Sequence, residues 1–380
     1  MTVKIIEDTL TAADGHVLYT KAWEAPPDVA RAALVWLHGF GDHCGRAESF
    51  FSFLASRGIA VHAFDQRGWG RSVHDPSHRG SIGPTETILS DITVFIEALR
   101  ARTDLPLFLG GHSMGGAVAL LWASEAPIQT RRLMRGFIAE APLLRLHKST
   151  TPSRALVWLA RAVAVLLPNL PVRHGARHDD QPVDPLVNHV VSLRVTLDIW
   201  DRGEQVATGL CDLKEETQEA RTGLWLAIGG DDNVVCPDAV RAYFDRSGLE
   251  DKQLRSYAGY GHELHTDVGQ GKASFTEELV QWTSERATAS LLCGCHVLDL
   301  VTTGSGTVNR LMCRQSVPLS LLSVKEVVGQ VAFKYHHLRD VARRRLQAGI
   351  SKDDASQGNQ GKQPVHNWKL DSTKLEEDGY

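Results

Sequence analysis

Residues 108–121 read FLGGHSMGGAVALL: an apolar strand-like run, a serine set among four glycines, then an apolar helix-like run. Gly111-His112-Ser113-Met114-Gly115 is G-x-S-x-G at a strand-to-helix junction. A turn this sharp leaves no room for side chains on its flanks, and it lifts the serine hydroxyl above the sheet. Alone, the five residues also fit a glycine-rich turn with a capping serine. The strand before them and the helix after them favour a nucleophile.

The same alternation extends in both directions from that turn. VKIIEDTLT (3–11) and HVLYTKAWE (16–24) read as two strands, a candidate hairpin. AALVWLHGF (32–40) is continuously apolar, as in a strand buried on both faces. ESFFSFLASRG (48–58) has helical spacing ended by Gly58, IAVHAFD (59–65) is a further buried strand, and ETILSDITVFIEALRAR (86–102) is an amphipathic helix. Downstream, MRGFIAEAP (134–142), GLWLAIGG (223–230) and KQLRSYAG (252–259) read as strands. PDAVRAYFDRSG (237–248) and SFTEELVQWTSERA (274–287) read as helices. Strands alternating with helices predict an α/β fold, with a mostly parallel sheet covered on both faces.

Two regions break the rhythm. Residues 142–215 show no strand series and contain ALVWLARAVAVLLPNLPV (155–172), apolar but interrupted by Arg161 and two prolines. That is too broken for a membrane span. It predicts an inserted cap over the carboxyl ends of the strands, within a main domain of residues 1–288. Its apolar side chains, Trp158 among them, suit either an acyl chain or packing of the cap on the core. The second region is an extension over 289–350, with a basic helix-like stretch near 323–347, followed by a polar tail over 351–380 expected to be disordered.

Composition narrows the function classes. The 380 residues are 43% hydrophobic and 23% charged, the balance of a globular protein. A net charge of −4 gives no footing for nucleic acid. Six scattered cysteines (Cys44, Cys211, Cys236, Cys293, Cys295, Cys313) and an amino terminus without a long apolar core predict reduced thiols, no secretory signal and a cytoplasmic location. Cys293-Gly294-Cys295-His296 has no second ligand pair at finger spacing, so no metal is expected there.

A nucleophilic serine needs a base and a group that orients it, here in the chain order serine, acid, histidine. LAIGGDDNVV (226–235) supplies Asp231 and Asp232 at one strand end, and YAGYGHELH (257–265) supplies His262 and His265 at the next. Open parallel sheets place their sites at such carboxyl ends. The oxyanion donors expected are the backbone N–H of Met114 and one from HGFGDHCG (38–45), with Phe40 as its carrier. His38 and His43 are read as loop packing, and Asp65 and Arg67 as structural partners.

HGFGDH, FDQRGWGRS, GGHSMGG, GGDDNVV and GYGHELH, in that order, resemble the α/β-hydrolase superfamily. Within it they are similar to the monoacylglycerol lipase and lysophospholipase group, also called serine aminopeptidase-like, over residues 10–288; VDPLVNH (183–189) resembles that group's cap. The resemblance selects Asp232 through G-x-x-D-x-V-V from Gly229, and His262 through a G-x-x-H turn. Asp42 stands where the group commonly has Glu, and Phe40 replaces a smaller residue, which implies a narrowed or reshaped acyl site.

The resemblance implies a serine hydrolase that cleaves monoacylglycerol or a related lipid ester through an acyl-enzyme, with no cofactor and no metal. The apolar stretch of the cap, ALVWLARAVAVLL (155–167), predicts peripheral contact with membranes or lipid droplets. A secondary-metabolite ester, a thioester or a lactone remains an alternative substrate, as does acyl transfer, because His262–Asp267 spells H-x-x-x-x-D. A non-catalytic binding protein is disfavoured because all three triad residues are present. Dehalogenase and epoxide-hydrolase chemistry is disfavoured because those relatives carry aspartate where this chain has Ser113. The sequence sets no oligomeric state.

Overall fold

The computed structural model describes residues 3–174, 184–213, 222–266 and 270–293. The chain divides by contacts into residues 1–299 and 300–380, and the second unit lies outside the described residues. So do the basic stretch, the polar tail and the Cys295-His296 pair.

The first unit is built on one eight-stranded sheet. β1 (Lys4–Thr11) and β2 (Val17–Glu24) form the expected antiparallel hairpin. There follow β3 (Ala32–Leu37), α1 (Glu48–Ser56), β4 (Ile59–Phe64), α2 (Thr85–Arg100), β5 (Leu107–His112) and α3 (Met114–Glu125). The short α4 (Ile128–Arg131) leads into β6 (Met134–Glu140). The insertion holds α5 (Arg154–Leu166), β7 (Pro171–Arg173), β8 (Val190–Ser192) and α6 (Leu193–Ala207). β9 (Gly223–Gly229), α7 (Pro237–Arg246), β10 (Lys252–Tyr257) and α8 (Gln270–Cys293) complete the unit, α8 running past the expected boundary at 288.

Strand order is β1-β2-β4-β3-β5-β6-β9-β10, with parallel pairing from β4 to β10. Chain order reverses around β3, which lies between β4 and β5. That reversal opens a crevice beyond the carboxyl ends of β3 and β5, where sites in open α/β sheets form.

Period-2 side-chain alternation explains why β3 is apolar throughout. Ala33, Val35 and Leu37 join a core with α2, α3 and α7, whereas Ala32, Leu34 and Trp36 join a core with α1 and α8. On the second face Trp225 stacks on Phe275 at 5.5 Å and Trp282 at 6.3 Å. Full burial of such rings contributes roughly 2 kcal/mol each. Helix α3 is buried from Met114 to Ala123 without a break, so its sequence is apolar all round rather than amphipathic.

The insertion departs from its expected strand-free character. β7 and β8 pair as a two-stranded antiparallel ribbon, too short for alternation to register in the sequence. Val172 of the ribbon packs on a small core of Ala164, Leu193 and Leu197 between α5 and α6. Ser153 and Ser192 cap the two helices by accepting from the N–H of Leu156 and Val195. Only Ala164 of α5 is buried, and Trp158 is 74% exposed, so Trp158 does not pack on the core. Among the described residues no helix is long and apolar enough to cross a membrane.

Candidate active site

Ser113 sits between β5 and α3 with φ 52°, a left-handed conformation that a residue with a Cβ seldom adopts. The fold holds it there. Its N–H donates to Glu140 O at 2.9 Å, and its own carbonyl accepts from Ala117 N at 3.0 Å and Leu143 N at 2.9 Å. The two flanking glycines answer the spacing of G-x-S-x-G. A Cβ on Gly111 would stand 2.6 Å from the Gly115 carbonyl carbon, and one on Gly115 would stand 2.2 Å from Leu37 O. No side chain fits at either point.

Asp232 and His262 come together as the motif reading expects. His262 Nδ1 lies 2.8 Å from Asp232 Oδ2, while Asp232 Oδ1 accepts from Val234 N at 2.8 Å and Val235 N at 3.0 Å. Burial alone would raise the Asp232 carboxyl. The hydrogen bond from His262, its charge and the two backbone N–H groups hold it below the ordinary value instead. An ionised Asp232 fixes the Nδ1–H tautomer and leaves Nε2 free to take a proton. Ser113 Oγ makes no hydrogen bond to His262 among the described residues; uncomplexed sites are commonly loose at this contact.

Asp231 is exposed, and among the described residues its one hydrogen bond is from its backbone N–H to Tyr260 O at 2.9 Å. His265 is buried and bonded to Glu140, Nδ1 lying 2.8 Å from Oε2. Neither reaches the Asp232–His262 pair. Asp267, the acid of the H-x-x-x-x-D pattern, lies outside the described residues.

The loop after β3 crosses the nucleophile closely: a Cβ on Gly39 would stand 3.6 Å from the Ser113 Cβ. Phe40 follows on that loop, and Met114 opens α3 directly after Ser113. The Phe40 ring lies edge-on to Trp69 at 5.2 Å and to His174 of the insertion at 4.8 Å. His38 is structural, as read: its Nε2 accepts from Gln66 N at 2.9 Å. Asp65 is structural too, accepting from Cys44 N at 2.7 Å and Arg71 N at 2.6 Å. Arg67 is held by Asp91 and Asp14.

His43 does more than pack its loop. Its Nδ1 accepts from Gly45 N, which leaves Nε2–H to donate to Asp184 Oδ2 at 2.9 Å. Asn188 N donates to Gly41 O at 2.8 Å nearby. These two bonds dock the insertion on the expected oxyanion loop. Sequence reasoning missed Asp184 and Glu140. For Glu140 the available signal was a carboxylate ending an otherwise apolar strand.

His112, Glu140 and His265 offer three ligand atoms within 4.8 Å of one another, the one such cluster found among the described residues. The described cysteines Cys44, Cys211 and Cys236 are free thiols.

Residues 28–269 match the family described as Serine aminopeptidase, S33. A Schizosaccharomyces pombe protein named "Putative monoglyceride lipase" is 34% identical over 287 residues, covering 72% of each chain. The Mus musculus protein named Monoglyceride lipase is 28% identical over 293 residues, covering 74% of this chain and 91% of that one. A solved soluble variant of monoglyceride lipase from Saccharomyces cerevisiae, in complex with a substrate analogue, superposes with a TM-score of 0.64. It is 20% identical, covers 75% of this chain and 95% of that one, and bears on the fold.

Proposed function

The chain belongs to the serine aminopeptidase S33 family of α/β-hydrolases and is a carboxylic ester hydrolase of lipid substrates, and on that premise we propose that it cleaves monoacylglycerols through a Ser113–His262–Asp232 triad. The carrying observation is the Asp232–His262 bond of 2.8 Å, made at the strand ends beside a serine held at positive φ.

In this mechanism Ser113 Oγ attacks the ester carbonyl carbon as its proton passes to His262 Nε2. Asp232 keeps the imidazole oriented and stabilises the cation it becomes. The N–H groups of Met114 and Phe40 receive the oxyanion. Collapse of the tetrahedral adduct breaks the bond to the glycerol oxygen, which takes the proton from His262. Water, deprotonated by the same imidazole, then releases the fatty acid from Ser113. The side chains and backbone groups complete this cycle without a cofactor.

The substrate reading rests on the monoglyceride lipase relatives and on the insertion, read here as a cap. Its helix α5 turns Trp158, Leu159 and Leu166 outward at 74%, 60% and 81% exposure. A helix with such an apolar outer face suits shallow contact with a lipid surface, from which a monoacylglycerol is taken.

The test is Ser113→Ala. It should fold normally, lose labelling by a fluorophosphonate and lose on the order of a thousandfold or more in monoacylglycerol hydrolysis. Retained labelling places the nucleophile elsewhere. Free fatty acid released without transfer to added alcohol separates hydrolysis from acyl transfer.

A further inference from the structure

A carboxylate with no exposed surface needs a reason. Glu140 ends β6 at 0% exposure, next to the apolar Phe137, Ile138 and Ala139. Burying it without partners would be costly. Its partners lie on two segments far apart in sequence. The Glu140 main-chain carbonyl accepts from Ser113 N at 2.9 Å. Its side chain accepts from His265 N at 3.0 Å, and the His265 Nδ1 lies 2.9 and 2.8 Å from its two oxygens. His265 is three residues beyond His262.

We propose that Glu140 is a positioning residue for the reaction: one buried residue, through its main-chain carbonyl on Ser113 and its carboxylate on His265, sets the distance between nucleophile and base. The proposal rests on the triad reading above. His112 closes the same ring from the nucleophile side, since its Nε2 meets His262 O at 3.2 Å. A carbonyl can only accept, so Nε2 carries the proton. Burial depresses the basicity of His112 strongly, which keeps that imidazole neutral. Its ring lies 4.8 Å from that of His262 and 4.9 Å from that of His265.

Two further observations support the tether. Ser113 and Ala141 are the non-glycine residues with positive φ, at 52° and 42°, among the described residues. Both border Glu140's contacts, and such strain persists only where the surroundings over-determine it. Electrostatics agree with the geometry. Burial would push the Glu140 carboxyl up and the His265 imidazole down, yet their mutual charge and hydrogen bonds hold the carboxyl below and the imidazole above their ordinary values.

The link would act by holding His262 within reach of Ser113 Oγ, where a misplacement of about 1 Å costs on the order of 100-fold in rate. Glu140→Leu removes the carboxylate. It should lower kcat and the fluorophosphonate inactivation rate together by ~10- to 100-fold, with KM unchanged. Should Glu140→Leu not fold, Glu140→Gln keeps an acceptor for His265 and removes the charge, with a smaller fall in the same two rates. Glu140→Gln combined with His265→Asn should be no slower than the slower single variant, because both break one unit.

Unchanged kcat in a folded variant with only a lower Tm makes Glu140 structural and overturns the proposal. So does a change confined to KM, or a stoichiometric bound metal in the purified protein. Ser113→Ala, run alongside, separates failure of this proposal from failure of the triad: if that variant still labels, the underlying reading falls whatever Glu140 does.

Discussion

His262 Nδ1 stands 2.8 Å from Asp232 Oδ2, while the neighbouring Asp231 points to solvent. The two aspartates differ by one position and by everything that matters chemically. Asp232→Asn presents an amide to Nδ1 and favours the wrong tautomer, so kcat should fall by on the order of 10⁴. Asp231→Asn should stay within about twofold, as an exposed side chain. Steady-state kinetics on one soluble ester decide, and the reverse ranking displaces the acid by one residue.

Gly229 ends β9 beneath the segment that carries His262. A Cβ there would lie 2.0 Å from Gly261 O and 2.4 Å from Tyr260 O, both backbone atoms that cannot swing aside. Gly229→Ala should therefore push that segment outward, costing about 1–3 kcal/mol in stability and at least ~10-fold in kcat. Gly15→Ala is the control. Gly15 has φ 86° and open space around its Cβ position, in the turn of the β1–β2 hairpin. Its cost should be ~1 kcal/mol of backbone strain with activity intact. Paired denaturation and rate measurements check both variants.

Arg202 of α6 is 4% exposed, and its Nε and Nη2 find no acceptor among the described residues. It shares a cavity of about 10 Å³ with Trp69, whose Nε1 is also unpaired. Burial lowers the guanidinium to about 10 despite Asp198 and Asp201, so at neutral pH it is a buried cation. Arg202→Met should raise stability by on the order of 1 kcal/mol, seen as a rise of about 2–4 °C in Tm. A fall in Tm would show that the guanidinium is satisfied by a bound water or anion in that cavity.

Most of the sheet was legible because its strands are buried on both faces, and continuous apolar runs such as AALVWL record that directly. The nucleophile turn was legible because backbone atoms fill the Cβ positions of Gly111 and Gly115. β7 and β8 were not, since three residues cannot display a period of two. The choice of Asp232 over Asp231, and of His262 over His265, needed a motif rather than physics, for each pair offers the same chemistry within three residues. Glu140 and Asp184 escaped for another reason. Their partners, His265 and His43, lie 125 and 141 residues away, and nothing in local sequence encodes such pairings.

Trp158 separates the lipid reading from a general esterase. It stands 74% exposed on α5, so Trp158→Asp should leave stability within about 0.5 kcal/mol. A carboxylate on that face would oppose entry into a lipid surface, where burying apolar side chains provides the attraction. Hydrolysis of long-chain monoacylglycerol in vesicles should fall, by ~10-fold if the indole supplies roughly 1.4 kcal/mol of the binding. Cosedimentation with the vesicles should weaken in parallel. A short soluble ester never needs that surface, and its hydrolysis should be unchanged, which also shows that the triad is intact. Equal loss on both substrates would mean that the substitution acts on the site itself. Equal retention on both would mean that monoacylglycerol reaches Ser113 without this face, and membrane contact through α5 would be wrong.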